Sequence, residues 1–326
     1  MLCIRHNISD PYFNLAAEEY FLRESDREYF LLYINEPSVI IGKHQNAYAE
    51  INYSFIRKNK IKVVRRISGG GAVWHDQGNL NFSFIRNGRE GELVNFRRNM
   101  LPVLDFLKGF GLNADFQGKN SIVLDGFKVS GNAEHVYKKR ILHHGTLLFN
   151  TNLSNLEEAL QVDPKKYFDR AVKSIRSKTI NFIDQINNGM NITQFGDVFL
   201  QRIMTDNFNA EIYKLTDSDN QKIHLLINNK YSTWEWNFGY STGYELNRMI
   251  DISGNEFRIY LKIEKGFISK ANITSYLLNS ILQEKLETDL TGQSHREENI
   301  LRILGHNEFK DIFKRANPDE WVNLFF

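Results

Sequence analysis

Residues 65–84 read RRISGGGAVWHDQGNLNFSF: two cations, three consecutive glycines, a His-Asp pair and then an alternating run. The stretch is entered through IKVVRR (61–66), whose β-branched residues predict a strand, and left through LNFSFI (80–85), which predicts another. The glycine run is therefore a strand-to-strand connection. It is not the strand-to-helix turn of a dinucleotide fingerprint, nor a phosphate loop, which would end in Gly-Lys-Ser/Thr. Glycines let backbone approach a ligand closely and take positive φ, and successive N–H groups can converge on an anion. The same run is also what a tight connection needs for shape alone. Arg65 and Arg66 just upstream, with His75 and Asn79 downstream, turn the reading toward a nucleotide phosphate. Strand alternation puts only one of the two arginines on the ligand side.

Outward from the motif, Asp10 and Pro11 read as an N-cap and first helical position, with Phe13, Ala16, Ala17, Tyr20 and Phe21 on one helical face. YFLLYI and SVIIG read as strands on either side of Pro37. Downstream, Leu93, Phe96, Met100, Val103, Leu104, Leu107 and Phe110 share a helical face that Gly111 ends. Short strands follow at SIVL, FKVSG and ILHHGTLLF, and another helix begins near Thr193. The region from Asn187 to Asn229 is polar, with no sharp pattern. Beyond it, Phe257, Ile259, Leu261 and Ile263 alternate, EKG turns and FISKANI returns, which predicts a hairpin; helical patterns then run to the end. A small α+β domain is expected after about Leu246, joined through the polar stretch DISGN.

Two further stretches carry chemistry. Lys128 lies in an apolar strand and is followed by Ser130 and Gly131, a setting in which an ammonium points at an anion more often than at bulk water. His143 and His144 are adjacent in a strand, so at most one looks into a site; the other is expected to be a hydrogen-bonded core histidine. The net charge of +2 gives no electrostatic case for nucleic acid. The densest basic stretch, IRKNKIKVVRR, reads either as a solvated face with a strand edge or as a surface for an acidic protein. Cys3 is the only cysteine, so no intramolecular disulfide can form, and a reducing compartment, the cytoplasm, is expected. No stretch approaches the roughly 20 apolar residues that span a bilayer, so no membrane partner is expected.

Taken together, FNLAAEEYFL, NEPSVIIGKHQN, RRISGGGAVWHDQGNLNFSF, GKNSIVLDGFKVSGNA, HHGTLL, KSIRSKTINF and STWEWNFG resemble the lipoate–protein ligase family over most of the chain. The resemblance implies an α+β fold: a mixed β-sheet catalytic domain (1–246) similar to that of biotin–protein ligases, and a small α+β C-terminal accessory domain (247–326). It implies ATP-dependent conversion of lipoate to lipoyl-AMP, then transfer of the lipoyl group to a lysine of a lipoyl domain. The implied partners are the lipoyl domains of 2-oxoacid dehydrogenase E2 subunits and the glycine cleavage H protein, with the enzyme a monomer. By the same resemblance Lys128 is catalytic and touches both the phosphate and the lipoate carboxyl. Arg66, Gly71, Ala72, Val73, Trp74, Asn79 and Lys128 would bind the nucleotide. Gly70, Gly71, Lys128, His144, Leu15 and Tyr33 would bind lipoate, with Glu19 beside the tunnel wall.

One departure stands out. Relatives often read Gly-Arg-Asn-Asp where this chain has Gly118-Lys119-Asn120-Ser121. Ser121 replaces a carboxylate that could help hold Mg²⁺, the implied metal, whose ligands the sequence leaves open. That keeps as an alternative a lipoyltransferase that uses preformed lipoyl-AMP. An octanoyltransferase needs a cysteine nucleophile, and Cys3 is far in sequence from every motif. A non-catalytic lipoate sensor is the reading from another class.

Overall fold

The structure, a computed structural model of the chain, describes residues 1–88, 94–186, 189–252, 254–314 and 317–326. Leu93, expected on a helical face, lies outside them, as do Asn187 and Ser253 of DISGN. The chain forms two units. The first comprises 1–43, 62–157 and 174–233; the second comprises 44–61, 158–173 and 234–326. The second unit thus gathers two earlier excursions of the chain in addition to its C-terminal part. Leu246 lies inside the strand Tyr244–Ile252.

In the first unit the strands are β1 (Leu2–Arg5), β2 (Tyr29–Ile34), β3 (Ser38–Ile41), β4 (Lys62–Arg65), β5 (Val73–His75), β6 (Asn79–Asn87), β7 (Ala114–Gln117), β8 (Ser121–Leu124), β9 (Phe127–Tyr137) and β10 (Arg140–Leu148), of which β5 and β7 were not expected from the sequence. They build a mixed eight-stranded sheet in the order Glu211–Ile212, β1, β2, β6, β10, β9, β8, β7, and a small sheet in the order β4, β3, β5. Alternation along β6 gives the large sheet two different faces. Leu80, Phe82 and Phe84 point one way, onto the helices Phe96–Gly109 and Ile192–Asp206; Phe106 and Phe199 stack there at 4.5 Å. Asn79, Asn81 and Ser83 point the other way, yet all three are buried. A polar strand face normally meets water; here the helix α1 (Pro11–Glu24) covers it.

The Asp10 side chain caps α1, accepting from Tyr12 N at 2.9 Å, with Pro11 at the first helical position as expected. The helix differs from a one-faced amphipathic expectation. Asn14, Glu18 and Glu19 are buried along with the apolar residues, because α1 is enclosed on both sides. Burying a carboxylate is costly unless donors surround it, and each of these glutamates has several.

The second unit holds a four-stranded antiparallel sheet in the order Tyr167–Asp169, Tyr244–Ile252, Asn255–Glu264, Phe267–Ser275. Phe257, Ile259, Leu261 and Ile263 line its buried face, as their alternation predicts. Lys265 and Gly266 take φ of 52° and 82°, the left-handed pair that a two-residue hairpin turn requires. Asp251, Ile252 and Asn255 of DISGN belong to paired strands of this sheet rather than to a linker, the pairing reaching Ile252 and Asn255. The basic stretch is not a continuous surface. In this unit Arg57 pairs with Glu297 and Asp319; in the first unit Lys62 pairs with Glu36 at 2.7 Å, and Arg65 and Arg66 are buried.

Candidate active site

The triple-glycine loop is shaped by the small sheet of the first unit. β4 runs parallel to β3, and β5 runs antiparallel to it on the other side. The loop leaves the end of β4 and must cross the end of β3 to enter β5. It crosses at Gly42, where a Cβ would lie 2.0 Å from Gly70 O; only glycine fits there. Gly70 itself has φ +92°.

Arg66 ties the loop down. Its Nη2 donates to Gly69 O at 2.6 Å and Gly71 O at 2.8 Å, its Nη1 to Ile40 O at 3.1 Å, and its Nε to Ser68 Oγ at 3.0 Å. Burial pushes its guanidinium down to about 10, with Glu18 pulling the other way. Arg65 turns away, donating to Gly42 O at 3.0 Å and Lys43 O at 3.1 Å. One arginine per side is what strand alternation predicts, but both are buried.

A second layer of polar groups comes from the covered face of the large sheet. In register, Tyr33 opposes Asn81, and Ser83 opposes His144. Glu18, on α1, accepts from Tyr33 Oη at 2.8 Å, from Ser83 Oγ and from His144 Nδ1 at 2.8 Å. His144 Nε2 lies 2.6 Å from Ser68 Oγ. His143 faces the opposite, apolar side, bonded to Glu134 at 2.9 Å and Asn132 at 3.2 Å, the core role expected for one of the pair. His75 Nδ1 accepts from Asn35 Nδ2 at 2.9 Å, so the proton sits on Nε2. Burial pushes His75 down to about 3, helped by the Arg66 charge, and holds it neutral. His75 Nε2 and Asn79 Oδ1 are buried without a protein partner. Such atoms cost about 1–3 kcal/mol each unless something satisfies them.

Lys128 approaches from β9. Its side chain folds back over Gly131, where a Cβ would meet Cε at 3.1 Å and Nζ at 3.2 Å. Its ammonium has no hydrogen-bonded or ion-paired partner among the described residues. Burial, and then the Arg66 charge, push it below the ordinary lysine value. One segment joins this lysine to the glycine loop. Ser174 Oγ accepts from Ala72 N at 2.8 Å, and five residues later Thr179 bridges to Lys128 in a parallel pair. The two cations thus differ: Arg66 is bound into the loop, while the Lys128 ammonium has no partner among the described residues.

The remaining expected residues fall around this centre in different ways. Leu15 and Tyr33 are buried, Tyr33 through its bond to Glu18. Gly71 packs against Ser174, and Val73 is partly buried in β5. Trp74 is buried with its indole N–H on Asp76 at 3.0 Å, so only its backbone is free to face a ligand. Glu19 faces away from the histidine, bonded to Lys230 and Tyr231 at 2.6 Å each. The group that meets His144 is Glu18, one position earlier. Sequence reading placed Glu19 beside the tunnel wall and passed over Glu18, because adjacent positions on a helix point in different directions and the sequence does not say which one meets the sheet. Cys3 lies in the apolar core beside Phe30, its thiol pushed up by burial, on the sheet face away from Glu18. It is placed as a structural thiol rather than a nucleophile.

A family model for the lipoyl protein ligase A/B catalytic domain matches residues 10–204, and one for the bacterial lipoate protein ligase C-terminus matches residues 241–325. The chain belongs to the lipoate–protein ligase family. It is 38% identical to lipoate–protein ligase 1 of Staphylococcus aureus and 37% identical to the lipoate-protein ligase LplJ of Bacillus subtilis, each match covering 98% of both chains. Among solved structures, the bipartite lipoate protein ligase of Thermoplasma acidophilum, described with its E2 lipoyl domain, superposes with a TM-score of 0.63 at 26% identity, covering 73% of this chain and 96% of that one. A lipoate-protein ligase A bound with ATP superposes with a TM-score of 0.62 at 26% identity, covering 73% and 98%. The α+β class, with mixed sheets and a C-terminal ligase domain, is that of the family.

Proposed function

We propose that this chain is an ATP-dependent ligase that attaches lipoate to a lysine of a lipoyl domain through a lipoyl-adenylate. The observation that carries the reading is Lys128: an unpaired, half-buried ammonium beside Arg66 and the glycine loop. In the first step the lipoate carboxylate oxygen bonds to the α-phosphorus of ATP, and pyrophosphate departs. In the second, the acceptor ε-amine attacks the lipoyl carbonyl, AMP departs with the bonding pair, and the nitrogen loses a proton. The mixed anhydride is already activated, so no side-chain nucleophile is required. The protein positions the reactants and stabilises charge. Lys128 suits both steps, since negative charge grows first on the phosphate and then on the carbonyl oxygen.

Mg²⁺, where it takes part, would be held by the nucleotide's phosphates and water, the usual arrangement for this hard cation, and Ser121 in place of a carboxylate fits it. E2 lipoyl domains are the acceptor class that the archaeal relative's description supports, and the H protein is the other candidate. No helix among the described residues is long and apolar enough to cross a membrane; a cytoplasmic setting fits the lone buried thiol.

The full-length relatives named as ligases favour adenylation plus transfer over transfer alone. Incubation with ATP, lipoate and an apo-lipoyl domain is expected to yield the amide and pyrophosphate. Product from synthetic lipoyl-adenylate but not from ATP and lipoate would move the chain to the transferase class. Product from neither, with the chain folded, would leave it a binding protein.

A further inference from the structure

Glu18, His144, Ser68 and Arg66 form an unbroken line of hydrogen bonds that ends on the glycine loop. Glu18 accepts from Tyr33 Oη, from Ser83 Oγ and from His144 Nδ1. His144 Nε2 lies 2.6 Å from Ser68 Oγ. Ser68 Oγ in turn accepts from Arg66 Nε–H at 3.0 Å. The other arms of Arg66 hold Gly69 O and Gly71 O.

The order Ser–His–Glu is that of an activated nucleophile. Ser68, however, is fully buried, and its oxygen faces an arginine rather than open space. It is a bridge and not a nucleophile. Tyr33 helps by staying a donor: burial and the Glu18 charge hold its phenol well above the ordinary tyrosine value.

We propose that Glu18 is a positioning residue which, through His144 and Ser68, fixes the orientation of Arg66 and so the conformation of the triple-glycine loop that receives the nucleotide. This rests on the ATP-binding role given to the loop above. Removing any link would take away the side-chain restraint on Arg66 Nε and leave it held only by backbone carbonyls, Ile40 O, Gly69 O and Gly71 O. Because the links act in series, two cuts should cost little more than one.

The test measures ATP affinity directly by calorimetry, with no turnover required, for the full chain and for Glu18→Gln, Ser68→Ala, the double variant and Ser68→Thr. Each single variant is expected to weaken ATP binding roughly tenfold, the scale of one hydrogen bond to a charged group. The double variant should match the weaker single, and Ser68→Thr, which keeps the hydroxyl, should restore binding. Nitrogen-15 spectra of the His144 ring should differ between the parent and Glu18→Gln. Failure of the parent itself to bind ATP would strike the nucleotide reading. A parent that binds ATP, with folded variants that bind equally well or with additive losses, would overturn the positioning role. Should Glu18→Gln fail to fold, the Ser68→Ala and Ser68→Thr pair decides: equal affinities would overturn it.

Discussion

At the scale of single residues, the proposed chemistry rests on Lys128. Replacing it with alanine removes the cation proposed to follow charge through both steps. Both adenylation and transfer are expected to slow by about a hundredfold or more, the cost of losing one preorganised electrostatic donor. Pyrophosphate release at near-parental rate would refute that role. The lysine also sets a pH limit. Its ammonium titrates below the ordinary value of 10.5 because burial and Arg66 disfavour the charged form. The charge is lost as pH rises through the lowered value. Activity should therefore fall on the alkaline side earlier than an unperturbed lysine would dictate. A pH–rate profile checks this, and the limb attributable to Lys128 should be absent from the residual activity of the alanine variant.

At the scale of elements, the glycine loop and one overlooked helix are informative. Gly70 at φ +92° would bring an added Cβ within 2.9 Å of Arg66 Nη2. Gly70→Ala is expected to cost roughly 1–2 kcal/mol in stability from the left-handed backbone alone and to weaken ATP binding by displacing the guanidinium. Urea midpoints and calorimetry measure the two effects separately. The helix Asp217–Leu226 lies in the stretch where the sequence offered no sharp period, because Asp219 and Ile223 are its only buried side chains. Its start was nonetheless written locally: Thr216 and Asp219 form a capping box, Thr216 Oγ1 accepting from Asp219 N at 3.1 Å. Thr216→Ala should destabilise by about 1 kcal/mol, read as faster amide exchange along that helix.

At the scale of the whole molecule, each unit carries a buried neutral histidine, His75 in the first and His295 in the second. His295 is bonded to Tyr244 Oη at 2.7 Å and donates to Phe325 O at 2.8 Å; burial pushes it down to about 4. The unfolded values lie near 6.5. Between the folded and unfolded values the unfolded chain binds more protons, so stability rises with pH there. Both units should lose stability as pH falls from about 6.5, His295 contributing its loss by about pH 4 and His75 by about pH 3. Urea midpoints followed from pH 7 to 4 should decline steadily, and His295→Gln should flatten the decline for the second unit's transition. A flat parental profile would contradict the neutral assignments.

The sequence by itself determined the strands around the glycine run, the N-cap of α1, the hairpin at Lys265 and Gly266, and the family. These rest on local signals: alternation, caps, turn residues and a contiguous motif. It also singled out Arg66 and Lys128, because cations embedded in apolar strands are conspicuous in one dimension. Only the tertiary structure decided which glutamate of the Glu18–Glu19 pair joins the site, that Asp251, Ile252 and Asn255 of DISGN belong to paired strands of a sheet, and that the second unit collects segments from three places in the chain. The physical reason is that strand alternation fixes opposite faces but not what covers them. In β6 the polar face of Asn79, Asn81 and Ser83 reads as solvent-facing; α1 closes over it and turns those residues, with His144 and Glu18, into a buried polar wall. Burial of polar groups depends on which element packs above them, and that is set by contacts between segments far apart in the chain.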